Sequence, residues 1–383
     1  MPDGDMKMSD NTLGFSSNYD RSCVEIDLDA LKHNFEEIRK ATTDGAGILA
    51  VVKADAYGHG ALEIAKTLID SGAAGLCLAT IDEAVELRKH GIDVPMMTLG
   101  FTDPVRFKDA VKYDVEQSVY SYEIAKALSD EALAQGKTCR IHIKLDTGMG
   151  RIGFKTDGSE TEEIVRSCTL PGIEPYGVFS HFAVADTDDD DYTRKQFRLF
   201  MDQIDELGKR GIRFTKRHIC NSAGIERFPD RHLDMVRLGL GLYGINSRNN
   251  ETIHNVSTLR TTILQIHDVP AGESVGYSRR TIVERDSRIA SLPIGYADGL
   301  NRLLGNRKGY CLVNGKRAEY VGNICMDVCM IDVTDIPCKE GDTATIFGEG
   351  LSPSELASRC GTIPYEILTG IAPRVKHIYY EDK

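Results

Sequence analysis

Between residues 45 and 245 one unit recurs eight times: a short apolar run, then a longer stretch patterned as an amphipathic helix. The apolar runs lie at 48–52, 75–79, 95–99, 115–119, 141–145, 176–179, 217–220 and 235–240, and the fourth is mostly polar. The spacing predicts helices over 81–90, 122–135 and 192–209, the first two closing at Gly91 and Gly136, and glycine just past a helix end is a stop signal. Eight strands alternating with helices specify an α/β fold, the (β/α)8 TIM barrel.

After about Asn246 the pattern changes. Residues 258–267 alternate as a strand, and Pro270–Glu273 is a turn. Asn314-Gly315 is the centre of a two-residue hairpin, and 325–333 and 343–347 read as further strands. Ser352-Pro353-Ser354-Glu355 reads as a capping box opening a short helix. The expected layout is a polar, disordered tail over 1–20, a barrel over 31–246 and a mainly β domain over 247–383, a size common for a domain.

Composition narrows the classes. A net charge of −12 argues against general nucleic-acid or membrane-surface binding, and no apolar run is long enough to cross a bilayer. Residues 1–20 lack the apolar core of an export signal, and the ten cysteines are scattered without ligand spacing. The expectation is a cytoplasmic chain with reduced thiols and no metal site.

Barrel active sites form at the C-terminal ends of the strands. Polar residues of this chain fall there: Lys53; Lys144, Asp146 and Arg151; Ser180 and His181; Asn221 and Ser222; Arg237 and Gly239. Each alone is compatible with a strand-end residue facing water; their convergence on one rim selects a site. Lys53 ends the apolar run Ala50-Val51-Val52 and precedes Gly58 and Gly60. Burial disfavours its charged form, leaving an amine able to form a Schiff base with an aldehyde such as pyridoxal phosphate. An ion-paired lysine is the alternative.

The string Val51-Val52-Lys53-Ala54-Asp55-Ala56-Tyr57-Gly58-His59-Gly60 resembles the cofactor-lysine motif of bacterial alanine racemases, fold-type III pyridoxal phosphate enzymes. The resemblance returns at Lys144–Arg151, His181, Arg237–Gly244, Gly276-Tyr277, Gly295–Gly299, Cys325-Met326-Asp327 and Pro364-Tyr365-Glu366, and so covers nearly all of the chain after residue 21. It implies that residues 21–30 contribute a strand to the C-terminal domain. It implies a Schiff base at Lys53, with Tyr57, Ser222 and the backbone of Gly239 and Leu240 around the phosphate. Arg237 would face the pyridine nitrogen; guanidinium donates a hydrogen bond without giving up its proton, which keeps the ring a weak electron sink. His181 and Tyr365 would complete the cofactor's surroundings.

Two bases would serve the two faces of alanine, Lys53 and Tyr277, with His181 tuning the phenol. The family's matching tyrosine enters the partner subunit's site, so a homodimer with shared sites is implied. Arg151 and the Met326 N–H would hold the substrate carboxylate. Lys144 matches a lysine often carbamylated, and Tyr365 and Tyr296 line a narrow entrance. Asn323 departs from the arginine many relatives carry, which leaves the entrance electrostatics open. Read alone, Arg237 is compatible with a buried ion pair, Tyr277 with a packed aromatic and His181 with a structural histidine. The function implied is interconversion of L- and D-alanine for peptidoglycan precursors. A serine or broad-range racemase, a decarboxylase of the same fold type and a cofactor carrier are the other readings. Tyr365 argues against the first, Arg237 against the second, and the second domain with Tyr277 against the third.

Overall fold

The computed structural model describes residues 21–245 and 252–381, and the chain divides into two compact units. One runs from Leu28 to His254; the other joins residues 21–27 to the chain from Asn255 onward. The expected tail over 1–20 and the expected division at 246/247 lie outside the described residues. The unit boundary falls at His254/Asn255 because a buried side chain of the first helix reaches that far. Asn34 Nδ2 donates to the carbonyls of Leu242 (3.1 Å) and His254 (2.8 Å), and its Oδ1 accepts from the His254 N–H.

Strand β1 (Ser22–Asp27) ends where helix α1 (Leu28–Ala41) opens. The barrel strands follow: β2 (Gly47–Val51), β3 (Gly75–Leu78), β4 (Met96–Thr98), β5 (Glu116–Val119), β6 (Cys139–Asp146), β7 (Ile173–Phe179), β8 (Lys216–His218) and β9 (Met235–Leu238). All eight coincide with the apolar runs of the sequence. They pair in parallel in the order β9-β2-β3-β4-β5-β6-β7-β8, with Arg237 beside Leu49 and Leu49 beside Gly75. The seam between β8 and β9 is bridged by Arg237 N–H to Cys220 O (3.0 Å) and Asp234 N–H to Arg217 O (3.2 Å).

The polar fourth run is fully buried, and its polar groups are satisfied except Glu116 Oε1, which has no hydrogen-bond partner among the described residues. Gln117 Nε2 donates to Val115 O, Gln117 Oε1 accepts from Thr98 Oγ1, and Ser118 Oγ donates to Thr98 O. The helices between strands start where side chains cap them. Thr80 and Glu83 form a reciprocal capping box on α3 (Ile81–Lys89), the second barrel helix after α2 (Ala61–Asp70). The helix expected from 192 begins at Asp190, because Asp189 accepts from Tyr192 N–H at 3.1 Å.

The second unit is a nine-stranded sheet. Its strands are β10 (Ser257–Thr262), β11 (Gln265–Val269), β12 (Ser287–Leu292), β13 (Tyr310–Val313), β14 (Lys316–Val321), β15 (Cys329–Asp332), β16 (Thr343–Phe347) and β17 (Lys376–Tyr380). The order is β11-β12-β15-β14-β13-β16-β10-β1-β17, so β1 lies between β10, antiparallel, and β17, parallel. Asn314 (φ 48°) and Gly315 (φ 74°) give the left-handed pair a tight hairpin needs.

Three expectations change here. The strand over 258–267 breaks at Ile263-Leu264. The strand over 325–333 starts only at Cys329, since Cys325 N–H turns back to Val328 O (3.0 Å). Ser352 caps its helix, but Glu355 does not return the bond: its carboxylate takes Tyr310 Oη and Arg359 instead.

One carboxylate ties distant parts of this unit together. Asp298 is 2% exposed and accepts from Arg374 Nε (2.7 Å), Arg21 (3.3 Å) and Gly295 N–H (2.8 Å). It thereby links Arg21, just before β1, and Arg374, just before β17, to the turn that carries Tyr296. Asp298 is the buried member, and its loss leaves Arg21 and Arg374 free to be solvated, so what is lost is its set of charge-assisted hydrogen bonds. Asp298→Ala should therefore cost about 2–3 kcal/mol in a urea melt, and Asp335→Ala, which breaks the exposed pair with Arg285, should leave the melt nearly unchanged. Equal losses would contradict this assignment.

Candidate active site

Lys53 directly follows β2 and Val52, whose N–H donates to Cys77 O on β3. The next four residues, Ala54 to Tyr57, are left-handed, with φ of 51–56° and ψ of 38–51°. None is glycine or asparagine, and such a turn costs roughly 1–2 kcal/mol per residue. The surroundings impose it. Ala54 N–H is captured by Glu83 Oε1 (2.7 Å), whose other oxygen accepts from Ala79 and Thr80. Asp55 Oδ1 accepts from Ala61 N–H at the start of α2 (2.7 Å). Tyr243, fully buried, stacks its ring near those of Tyr57 and His59 and donates its hydroxyl to Val51 O (3.0 Å). Tyr243 lies within the Arg237–Gly244 stretch and Glu83 closes a capping-box pattern, but sequence reasoning assigned neither to this turn.

The turn brings Tyr57 to the end of β9. A Cβ on Gly239 would meet the Tyr57 hydroxyl at 3.0 Å, a tight contact that glycine avoids. Ser222 Oγ accepts from Gly239 N–H (3.0 Å) and Gly241 N–H (3.4 Å), and Leu240–Tyr243 form a single 3-10 turn. Two hydroxyls and a bare backbone thus converge at one place, a donor set that fits a phosphate.

Arg237 is buried and its two terminal nitrogens are fully engaged. One donates to His218 Nδ1 (2.8 Å), the other to Ser180 O (2.7 Å), Ile219 O (3.1 Å) and His181 Nδ1 (3.2 Å). Its Nε–H has no acceptor among the described residues and is the donor available to a ring nitrogen. Behind it runs a buried chain: His218 Nε2 to His142 Nδ1 (3.0 Å), then His142 Nε2 to Glu116 Oε2 (2.7 Å). The tautomers follow from the ends. Arginine can only donate, so His218 Nδ1 accepts; its Nε2–H then donates to His142 Nδ1, and His142 Nε2–H donates to the carboxylate. Burial, then Arg237, holds His218 well below its ordinary pKa, consistent with a neutral ring. Gly177 makes room for the chain, since a Cβ there would fall 2.0 Å from His142 Nδ1.

Other cations gather beside it. Asp146 Oδ1 accepts from the N–H groups of Gly148 (2.9 Å) and Gly150 (3.0 Å), which folds the loop presenting Arg151. Burial, reinforced by Arg151, lowers the Lys53 amine below its usual range. Lys144, buried over the Phe179 ring, is lowered to about 7 by burial and then by Arg237 and Arg151. His181 is held well below its ordinary value by burial and Arg237. Lys53, Lys144, Arg151 and Arg237 form a cluster of basic groups suited to a small anionic ligand.

Lys53, Tyr57, Lys144, Arg151, His181, Ser222, Arg237, Gly239 and Leu240 all belong to the barrel unit, and Tyr277, Tyr296, Met326 and Tyr365 to the other. Within the latter, Tyr296 N–H donates to Cys325 O and Ala297 N–H to Met326 O, joining the two loops. Asn323 Nδ2 holds the Tyr277 carbonyl (3.1 Å). All four side chains are exposed, Tyr277 by 72%. Among the described residues no His, Cys, Asp or Glu cluster could hold a metal, and no helix is long and apolar enough to cross a membrane.

Fold and pocket define a class: a barrel enzyme with an activated lysine at its mouth and an appended β unit. Residues 26–247 match the model of the alanine racemase N-terminal domain, and 256–379 that of the C-terminal domain. The chain is 45% identical to the alanine racemase of Clostridium tetani over 94% of its own length and 95% of the relative's. The solved alanine racemase of Clostridium difficile 630 superposes with a TM-score of 0.90 at 36% identity, covering 95% of this chain and 97% of that one. An alanine racemase from Bartonella henselae, described with covalently bound pyridoxal phosphate, gives 0.86 at 28% identity, covering 94% and 100%. The chain belongs to the alanine racemase family, and its activity is the isomerisation of alanine between its enantiomers.

Lys144 gives this site a pH signature. Its folded value of about 7 lies below the ordinary 10.5, so between these limits the unfolded chain binds a proton that the folded chain does not. Stability contributed by this site therefore rises with pH through that window and is lowest at and below about 7. The full difference is about 5 kcal/mol. In CO2-free buffer, wild type should gain stability relative to Lys144→Met as pH rises from 7 to 10. A pH-independent difference would contradict the burial of an uncompensated amine.

Proposed function

We propose that this chain racemises alanine by a two-base mechanism, with pyridoxal 5′-phosphate held at Lys53 and a homodimer completing each site. The observation that carries this is the convergence of a lowered-pKa Lys53 with the Tyr57–Gly239–Ser222 cradle and the free donor of Arg237. The Bartonella relative's description supports the cofactor. When bound, the cofactor supplies the electron sink that makes the alanine Cα–H acidic.

The chain's own residues do the rest. Tyr57, Ser222 and the Gly239 and Leu240 backbone hold the phosphate. Arg237 Nε–H would donate to the pyridine nitrogen without protonating it, which would restrain electron withdrawal and favour simple proton exchange. Arg151 and the Met326 N–H clamp the substrate carboxylate. Lys53 Nζ moves the Cα proton on the D face and the Tyr277 hydroxyl on the L face, with His181 positioning that phenol.

Lys144, as a neutral amine, can add to CO2 with loss of a proton; the resulting carbamate would replace a cation beside Arg151 by an orienting anion. Tyr296 and Tyr365 narrow the entrance and select a methyl side chain over a larger one, which disfavours a serine or broad-range racemase. We assign the enzyme to the cytoplasm, where D-alanine would supply peptidoglycan precursors.

The 72% exposure of Tyr277 supports its use against a second chain. Inactive Lys53→Ala and Tyr277→Phe dimers, mixed under conditions where subunits exchange, test this. If the tyrosine acts in trans, each heterodimer holds one site with both defects and one with neither. A return of up to about half the wild-type activity per heterodimer is then expected. No recovery despite demonstrated exchange would contradict the shared site.

A further inference from the structure

One helix of the barrel unit reaches two loops of the site from outside. It spans Asp190–Lys209, and its first turns carry Tyr192 and the fully buried Gln196. The segment that leads into it is tied down. Arg227 donates to Ala185 O (2.7 Å), Thr187 O and Asp190 Oδ1 (2.6 Å).

Gln196 fixes the helix against both loops. Its Oε1 accepts from Ala183 N–H (2.9 Å), and its Nε2 donates to His181 O (3.0 Å) and Thr147 Oγ1 (3.4 Å). The directions follow from the hydrogens available. Ser180 Oγ gives its one hydrogen to Leu145 O (2.8 Å), so Thr147 donates to Ser180 Oγ (2.8 Å) and accepts from the amide. The helix is thereby joined to the ends of β6 and β7, from which the Arg151 loop and His181 follow.

Tyr192 lies one turn earlier. Its hydroxyl donates to Gly148 O (2.8 Å), and a Cβ on Gly148 would fall 2.5 Å from that oxygen, a clash that glycine avoids. Gly148 and Gly150 take φ of 124° and 68°, and two glycines so close together give the loop little conformational preference of its own. Asp146 holds the Gly148 N–H in an exposed bond. Tyr192 holds the carbonyl of the same residue, three positions before Arg151. Gly148 is thus held at both of its polar groups, and the second hold comes from a helix that Gln196 has locked.

We propose that Tyr192 is a positioning residue for substrate binding: by fixing the Gly148 carbonyl it sets the direction in which Arg151 presents its guanidinium. A fork-to-carboxylate pair depends on angle, so a loop free to turn at two glycines would weaken it. The inference rests on the reading that Arg151 holds the substrate carboxylate. In this role Tyr192 itself touches neither substrate nor cofactor.

Propionate, which is alanine without its amino group, reports the carboxylate clamp without turnover. Holoenzyme is titrated with it, and binding is read from saturable broadening of its methyl proton line. Tyr192→Phe, which keeps the ring and removes the hydroxyl, should weaken binding by about three- to tenfold, the effect of one hydrogen bond. The KM for alanine should rise by a similar factor in both directions while kcat stays within about twofold. Arg151→Gln should weaken binding further, and adding Tyr192→Phe to it should bring no additional loss, because the tyrosine acts through the arginine. Lys209→Gln, exposed at the far end of the same helix, should bind like wild type. Circular dichroism verifies that each variant is folded. Unchanged binding in Tyr192→Phe, or a fully additive loss in the double variant, would overturn the inference while leaving the role of Arg151 intact. Unchanged binding in Arg151→Gln would overturn both.

Discussion

A guanidinium inside a barrel must find acceptors for its donors, and here that requirement organises the interior. Arg237 is met by three carbonyls and two imidazoles, and its charge is answered only through a chain ending at Glu116. A buried ion needs such compensation or it costs several kcal/mol. The demand explains a polar fourth strand, two buried histidines with fixed tautomers and a glycine at 177. It also leaves the Nε–H of Arg237 without an acceptor among the described residues, and that donor can hydrogen-bond but not acidify.

Around this centre the barrel concentrates positive charge in a strongly acidic protein. Lys53 and Lys144 bear the consequence as lowered pKa values, since burial and neighbouring arginines act in the same direction. The effect raises the neutral, nucleophilic fraction of both amines. The left-handed turn from Ala54 to Tyr57 adds strain at the same place, offset by Glu83, Asp55 and Tyr243. Strain held by several independent contacts beside a reactive lysine fixes geometry that a relaxed turn would blur.

Much of this was legible in the residues. The eight apolar runs foretold the barrel strands because parallel strands covered on both faces must be apolar. Lys53, Arg237 and Ser222 could be placed because strand ends gather on one rim. Other features had no local signal. Nothing in Ala54-Asp55-Ala56-Tyr57 favours positive φ; the turn is imposed by a glutamate twenty-nine positions away. Glu116, His142 and His218 sit in three different strands, and only the closed sheet makes them a chain. The break at Ile263-Leu264, where two apolar residues fall side by side, and the turn at Cys325–Val328, where Asp327 interrupts the apolar residues, lie inside runs rich enough in strand formers to read as continuous.

The central claim is that Lys53 and Tyr277 each serve one face of the substrate. Overall racemisation cannot separate them, since every turnover needs both. Exchange of the α-proton with solvent deuterium, followed separately from each enantiomer in Tyr277→Phe, can. The account predicts that exchange from L-alanine is abolished while exchange from D-alanine persists through Lys53. Equal residual exchange from both enantiomers would mean that one mobile base reaches both faces, and would contradict the two-base assignment.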